Sequence, residues 1–291
     1  MDIQNLRAFI AVAERSSFSA AAVDLHLTQP AVSKRIALLE AELDTALFDR
    51  VGRRAHPTQA GQKLLHHARS ILRQLDLAEQ DIRDLAVSVS GSLNLATSHH
   101  IGLHHLPPVL RAFLDRYPHV RLNIAFTDSE KAHEAVLRGD IELAVITLAP
   151  NEAANIDARC VWPDPLAFVA GPEHSLCRHN NPTLSDLGNY ANVLPGLDTY
   201  TGQIVKRLFQ QQGQTLDTLM TTNYLETIKM MVNVGLGWSV LPRSMLDASL
   251  VDLMVETPPL CRQLGYIVHR KHSLSNAAKA FIELLETAAQ H

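Results

Sequence analysis

The sequence predicts a helical N-terminal domain, a long linker helix and then an α/β domain built of two halves. Three observations carry that expectation: short amphipathic helices joined by a tight turn near the N-terminus, an unbroken heptad seam from Leu64 to Val89, and alternating strands and helices from Leu93 onward. At 291 residues the chain is also longer than one hydrophobic core usually serves. Apolar residues make up 46% and charged residues 19%, which excludes disordered, collagenous and disulfide-scaffold chains. A net charge of −4 excludes a globally basic nucleic-acid binder but leaves room for a local DNA-binding surface.

The first helix is expected from about Asn5 to Glu14, because Leu6, Phe9, Ile10 and Ala13 recur at helical spacing. Ser16 and Ser17 break it and cap a second helix, about Phe18 to Leu25, whose run Ala20-Ala21-Ala22 lets a neighbour approach closely. His26-Leu27 makes a short turn. Thr28 is then an N-cap, with Gln29 and Pro30 in the first turn of a third helix reaching about Leu43, its inner face being Val32, Ile36, Leu39 and Leu43. This is a helix-turn-helix, whose second helix suits a major groove.

Its outer face carries Gln29, Ser33, Lys34 and Arg35, donors and acceptors suited to base edges and phosphates. The following segment, Leu47 to Arg54, reads as a short loop with Arg50, Arg53 and Arg54, a wing for backbone or minor groove. Over residues 1–58 the cations Arg7, Arg15, Lys34, Arg35, Arg50, Arg53 and Arg54 balance the anions Asp2, Glu14, Asp24, Glu40, Glu42, Asp44 and Asp49, so only the placement of charge favours DNA. An all-helical interaction module with a solvated basic loop fits the same pattern.

Between Thr58 and Val89 there is no proline, and Leu64, Ala68, Ile71, Leu75, Ala78, Ile82, Leu85 and Val89 alternate at spacings of four and three. A thirty-residue helix spans roughly 45 Å. Its apolar stripe is expected to pair with a second copy in a homodimeric coiled coil, the alternative being packing on its own body. Gly91 is a candidate hinge.

Beyond it, strands are expected at Leu93–Thr97, Val120–Thr127, Leu143–Leu148, Leu166–Ala170, Leu216–Thr222, Trp238–Leu241 and Tyr266–His269. Helices are expected at Leu103–Tyr117, Ser129–Arg138, Gly202–Gln212, Leu225–Val234 and Ser275–Gln290. Two α/β subdomains with largely parallel sheets follow, and ligands of such sheets bind in the crevice outside the carboxyl ends of the strands. The polar residues at those ends are Ser98, His99 and His100, Thr147, and Thr199 and Thr201, with Ser129 and Asn223 as further candidates. Hydroxyls and N–H groups at helix starts suit a small carboxylate; ordinary helix capping is the alternative for Ser98, Ser129 and Thr201. A histidine holding that carboxylate would bind it more tightly below about pH 6.5.

Other chemistries fit less well. His100 and His104, four apart, invite a metal that His269 and Glu142 would join, but there is no H-E-x-x-H and no fixed third ligand, so none is expected. No G-x-S-x-G elbow or P-loop is present, and catalysis is not expected. Cys160, Cys177 and Cys261 are odd in number, without a C-x-x-C pair, and fit a reducing compartment. The run Ala8–Ala13, boxed by Arg7 and Glu14, is too short for a signal core, and no stretch reaches the roughly 18 apolar residues of a membrane span. The sequence reads as cytoplasmic.

The stretches F-x-x-V-A-E-x-x-S-F-S-x-A-A (Phe9 to Ala22), L-x-L-T-Q-P-A-V-S-K-R-I-x-x-L-E (Leu25 to Glu40), L-F-D-R-x-x-R (Leu47 to Arg53) and P-T-Q-A-G (Pro57 to Gly61) resemble the bacterial LysR-type transcriptional regulators. So, in order, do L-P-P-V-L-R-A-F-L-D-R-Y-P (Leu106 to Pro118), R-G-D-I-E-L-A-V (Arg138 to Val145) and V-G-L-G-W-S-V-L-P (Val234 to Pro242). Asp44 departs from the family, which usually has glycine after the third helix.

The resemblance implies a winged helix-turn-helix DNA-binding domain over 1–58, a dimerisation helix and hinge over 59–90, and an effector-binding domain over 91–291 similar to periplasmic binding proteins. Within the last, it implies a first subdomain of about 92–162 and 268–291 and a second of about 163–267. It implies Gln29, Pro30, Ser33 and Lys34 at the major groove, Arg35 nearby, Arg50 and Arg53 at backbone or minor groove, and Ser98, His100, Thr147 and Thr201 near the effector. The implied partners are double-stranded promoter DNA with inverted-repeat half-sites, a second copy in a homodimer or homotetramer, and RNA polymerase. No cofactor beyond the effector is implied. A small-molecule-binding protein without DNA activity would leave the first 61 residues unexplained.

Overall fold

The computed structural model of the chain describes residues 1–51, 54–83, 89–151 and 153–288. It forms two compact units, the second comprising Val89–Leu137 and Ile141–His291.

In the first unit, α1 (Ile3–Arg15) starts where Asp2 accepts from the Gln4 amide at 2.8 Å and stops at Ser16, which turns left-handed. Ser17 caps α2 (Phe18–Asp24), and Thr28 caps α3 (Gln29–Leu43), both through their hydroxyls. Leu6, Phe9 and Val12 close on Ala21, Ala22, Val32, Ile36 and Leu39 in one core. Leu43, expected inside, is 40% exposed: α3 ends there, one turn past the last residue that the core reaches. Asp44 adopts the left-handed conformation (φ 48°) while its amide and that of Thr45 bond Glu40 O, so aspartate makes the turn for which glycine is better suited.

The wing is not a loop. Phe48–Val51 (β1) and Arg54–Pro57 (β2) pair antiparallel, with Arg50 opposite Ala55 and Val51 opposite Arg54. Phe48 anchors the hairpin between the Phe9 and Phe18 rings, at centroid distances of 5.2 and 5.8 Å. Thr58 then donates to Ala46 O and accepts from the Gly61 amide, starting α4 (Gln59–Arg83). Gly61 is required by this contact, since a Cβ there would lie 2.2 Å from Leu47 O.

The heptad seam does lie on one helix, but its first turns are already covered. Leu64 and Leu65 pack on the N-terminal core and Ala68 is fully buried in it, while Arg69–Glu14 (2.9 Å) and Arg7–Asp76 (3.7 Å) pair α4 with α1. The expectation that Ala68 faces a second copy is therefore corrected, since local packing claims it, while Leu64 is half-buried at the edge of the same core. Ile71, at 40% exposure, Leu75 and Ala78 follow on less covered turns, Ile82 lies in the last turn, and Leu85 falls outside the described residues.

The second unit centres on β3 (Gly91–Thr97), parallel to β4 (Val120–Phe126) on one side and β5 (Leu143–Thr147) on the other. The sheet is mixed rather than largely parallel. β6 (Ile156–Ala170) and the returning β11 (Cys261–His269) run antiparallel to each other, and β11 also pairs antiparallel with β5. The sequence analysis placed strands only over the last residues of each, Leu166–Ala170 and Tyr266–His269; Pro163 and Pro165, which lack an N–H for a ladder bond, interrupt the strand pattern of the first. Past Pro165, β6 enters the second half and pairs antiparallel with β9 (Ser239–Pro242) and β10 (Val251–Asp252), while β7 (Val193–Leu194) pairs in parallel with β8 (Met220–Thr221), all that forms of the strand expected over Leu216–Thr222.

The helix expected over Leu103–Tyr117 is two helices, α5 (His99–His104) and α6 (Leu106–Arg116). Pro107 and Pro108 cannot continue a helical ladder, so a new helix starts with them in its first turn. Then come α7 (Ser129–Arg138), α8 (Leu184–Leu187), α9 (Tyr200–Gln211), α10 (Leu225–Asn233) and α11 (Asn276–Ala288). Apolar clusters lie on both faces of the first-half sheet: α6 and α11 cover Leu93 and Leu95, and α7 covers Ala96 and Ile146.

Candidate functional site

Two surfaces carry functional side chains. On α3, burial of Val32, Ile36 and Leu39 leaves Thr28, Gln29, Pro30 and Lys34 exposed on the opposite face, with Ser33 half-buried. Gln29 Nε2 donates to Ser33 Oγ at 2.9 Å, an i, i+4 pair that holds both amide and hydroxyl at the helix start. Arg35 turns away from that face, its Nη1 lying 3.4 Å from both Gln4 O and Gln4 Oε1 on α1. Arg50 and Arg54 lie in the wing strands; Arg53 falls outside the described residues.

The second surface is a crevice between the halves of the second unit, about 520 Å³ of space partly open to solvent. All eight residues named from the sequence, Ser98, His99, His100, Ser129, Thr147, Thr199, Thr201 and Asn223, line it. They arrive on five different segments: the junction of β3 and α5, the end of β5, and the starts of α7, α9 and α10. Several are already committed. Ser129 Oγ accepts from the Thr147 amide, and Thr199 Oγ1 accepts from the Gly202 amide while donating to Gly196 O. Gly202 itself lets α9 start there, because a Cβ would lie 2.1 Å from Gly196 O. Asn223 accepts from the Gly196 amide and donates to Asp128 Oδ1. Ser98, by contrast, sits at the N-cap of α5 with no side-chain capping bond.

Sequence reasoning missed an arginine of the crevice wall. Arg262, on β11, is 4% exposed; its Nε donates to Asp164 Oδ2 at 2.6 Å and its Nη1 to Thr201 Oγ1 at 3.3 Å, but Nη2 has no partner among the described residues. Burial lowers its pKa and Asp164 raises it, with a net downward shift. The signal was present as alternation: Arg262, Leu264, Tyr266 and Val268 share the buried face of β11. The crevice also gathers Asp128 and Glu130. Asp128 is held below the usual carboxylate range by Lys131 and then Asn223, and Glu130 is raised by burial.

His100 is 4% exposed, and neither ring nitrogen has a hydrogen-bond partner among the described residues. Burial first, then the neighbouring Arg262 and His104, hold its imidazole down to about 3. Without a ligand, the imidazole is therefore neutral at neutral pH. Neither His269 nor Glu142 joins His100 and His104: His269 stacks on His272 at 3.9 Å, and Glu142 accepts from Ser275. The acid beside the two histidines is Glu226, at the start of α10.

Further contacts cross the crevice. Glu130 Oε1 accepts from the Tyr200 amide at 2.5 Å, the Tyr200 hydroxyl lies 3.0 Å from His133 Nδ1, and His104 Nε2 lies 2.9 Å from Glu226 Oε1. Burial, then Glu130, pushes the Tyr200 phenol up to about 12, so it stays protonated.

Helix-turn-helix, wing, long helix and cleft α/β domain in one chain define a DNA-binding regulator with a ligand-sensing half. Residues 3–62 match the bacterial regulatory helix-turn-helix domain of the LysR family, and residues 86–290 match the LysR substrate-binding domain. The chain belongs to the LysR family of transcriptional regulators. It is 30% identical over 298 residues to a RuBisCO operon transcriptional regulator of Allochromatium vinosum, covering 100% of this chain and 98% of that one. It is 28% identical to the transcriptional dual regulator GltC of Bacillus subtilis, over 98% of this chain and 96% of that one. These relatives are regulators, not enzymes. Full-length CbnR, solved with its target DNA, shares the fold at a TM-score of 0.69 and 23% identity, covering 99% of this chain and 100% of that one. No helix among the described residues is long and apolar enough to cross a membrane.

Proposed function

We propose that this regulator binds promoter DNA at inverted-repeat half-sites as a homodimer or homotetramer, and that a small carboxylate metabolite in the crevice sets its DNA-bound arrangement and the access of RNA polymerase. The observation that carries the effector assignment is the Arg262 Nη2 group, buried in the crevice wall with no partner among the described residues. A buried donor of this kind costs free energy until an acceptor arrives, and a carboxylate is the acceptor a guanidinium fits best. Ser98 and Thr201 supply hydroxyls in the same crevice.

At the other side, Asp128 and Glu130 disfavour a second anion, so the ligand carries a hydroxyl or ammonium there: a hydroxy- or amino-carboxylate. The crevice contacts would open and close with it, and the ligand shifts the equilibrium only as far as it binds one arrangement better. On DNA, Gln29 and Ser33 would read bases while Lys34, Arg50, Arg53 and Arg54 hold phosphates, with Thr28 and Pro30 setting the start of the helix; Arg35, tethered to Gln4, would brace α3.

The test is calorimetric titration of the full-length protein with a panel of hydroxy-, amino- and dicarboxylates and their uncharged analogues. A carboxylate should bind, and Ser98→Ala and Thr201→Val should each weaken it about tenfold; the melting temperature should be retained in Ser98→Ala, whose hydroxyl makes no capping bond, and lowered in Thr201→Val, which strips the buried Arg262 Nη1 of its acceptor. Preference for an uncharged analogue, or indifference to both substitutions, would overturn the assignment.

A further inference from the structure

His100 and His104 lie one turn apart on α5, in the first half of the second unit; Glu226 comes from α10 in the second half. Their ligand atoms all lie within 4.8 Å of one another. Glu226 Oε1 is 2.9 Å from His104 Nε2 and 3.6 Å from His100 Nδ1, and the two imidazole centroids are 4.8 Å apart. A histidine four residues from another on a helix presents both rings to one point, and a carboxylate facing them completes a three-ligand face.

The pairing of His104 with Glu226 would by itself be an ordinary crevice contact. What it leaves unexplained is His100, which is buried beside it with both nitrogens lacking partners among the described residues. An imidazole nitrogen in that position costs free energy unless something accepts or donates, and a cation among the three groups removes that cost at the nitrogen facing them.

We propose that His100, His104 and Glu226 form a binding site for a divalent transition-metal ion, zinc being the best match, that ties α5 to α10 across the crevice. Two nitrogens and one oxygen suit zinc and its neighbours rather than magnesium or calcium, which take oxygen ligands. His104 and Glu226 are 46% and 39% exposed, so the fourth position faces solvent and an entry path exists. The Arg262 guanidinium nearby carries the charge of its Asp164 partner at 2.6 Å, which offsets its repulsion of the ion. Binding would favour the arrangement in which α5 and α10 are close, and so would couple metal supply to whatever the effector controls. The site is independent of the carboxylate assignment, since its ligands do not include Ser98, Thr201 or Arg262.

The experiment is titration of tag-free, full-length, EDTA-stripped protein with zinc alone, followed by calorimetry and thermal melting, together with the visible spectrum of the cobalt-substituted form. Wild type is compared with His104→Ala, at an exposed position, and Glu226→Gln, at a half-buried one. One zinc per chain should bind and raise the melting temperature reversibly by EDTA. Each substitution should weaken it at least tenfold without changing the melting temperature in EDTA, and cobalt should give ligand-field bands without thiolate charge transfer. Zinc affinity equal in wild type and both variants, no binding at micromolar zinc, or a thiolate band that assigns the metal to cysteine would each overturn the proposal. Metal binding with no carboxylate hit would leave this site standing and the effector assignment fallen; the reverse result would do the opposite.

Discussion

The two functional surfaces are built by opposite strategies. The face proposed to read DNA is one helix: Gln29, Ser33 and Lys34 are neighbours in sequence, Gln29 and Lys34 exposed and Ser33 half-buried, and all are held by a cap and a core stripe within fifteen residues. The crevice is convergent, drawing its eight predicted side chains from five segments and adding Arg262, buried with Asp164, from a sixth. Residues of the first surface can change without disturbing the fold, whereas the crevice wall is part of the core that folds it.

The largest expected effect breaks that contrast most sharply. Arg262→Met leaves Asp164 buried at 4% exposure and uncompensated, and should destabilise the second unit by about 3 kcal/mol. Calorimetry on the full chain should show the loss confined to one transition, with part of it recovered when Asp164→Leu is added. An equal shift in both transitions would mean the units do not unfold separately.

Next is pH. His100 takes up a proton at about 3 when folded but near its ordinary 6.5 when unfolded, so the unfolded chain binds more protons between those values. Stability is therefore full above about pH 6.5 and falls as pH drops toward 3, by roughly 2 kcal/mol at pH 5. His104, His105, Arg262 and Glu226 face this ring; His105 shifts the same way through burial, and Glu130 the opposite way. Denaturant melts in EDTA at pH 7.5 and 5 should show a shallower loss for His100→Gln than for wild type; equal losses would remove His100 as the cause.

Gln29→Ala should cost about 2 kcal/mol of specific DNA binding with no change in melting temperature, the mirror image of Arg262→Met. Smallest is Asp44→Gly, which relieves a left-handed aspartate and should stabilise the first unit by roughly 1 kcal/mol; a loss would mean the Asp44 side chain contributes more than its backbone costs.

The same contrast governed what the sequence revealed. Thr28, Gln29 and the alanine face of α2 are local patterns, readable because caps and periodicity act within a few residues. The eight crevice residues were legible for a related reason: ends of strands and starts of helices are local features even when the site is not. Arg262 escaped because the strand was expected only from Tyr266, and its meaning depends on Asp164 and Thr201, remote in sequence. Glu226 escaped likewise, being a first-turn glutamate that only the fold sets beside His104. Ala68 fitted the heptad seam, and yet local packing in the N-terminal core took it, since a repeat records which face is apolar and not what covers it.

The measurement closest to the central claim is footprinting of the full-length protein on the DNA upstream of its own gene and its neighbours, at two salt concentrations, with Gln29→Ala beside wild type. We expect a protected, partly palindromic stretch at both salts that shifts in extent when the carboxylate found by titration is added, and that Gln29→Ala loses. Protection without sequence preference, or a footprint that Gln29→Ala retains unchanged, would contradict the reading of α3 as the element that reads the operator.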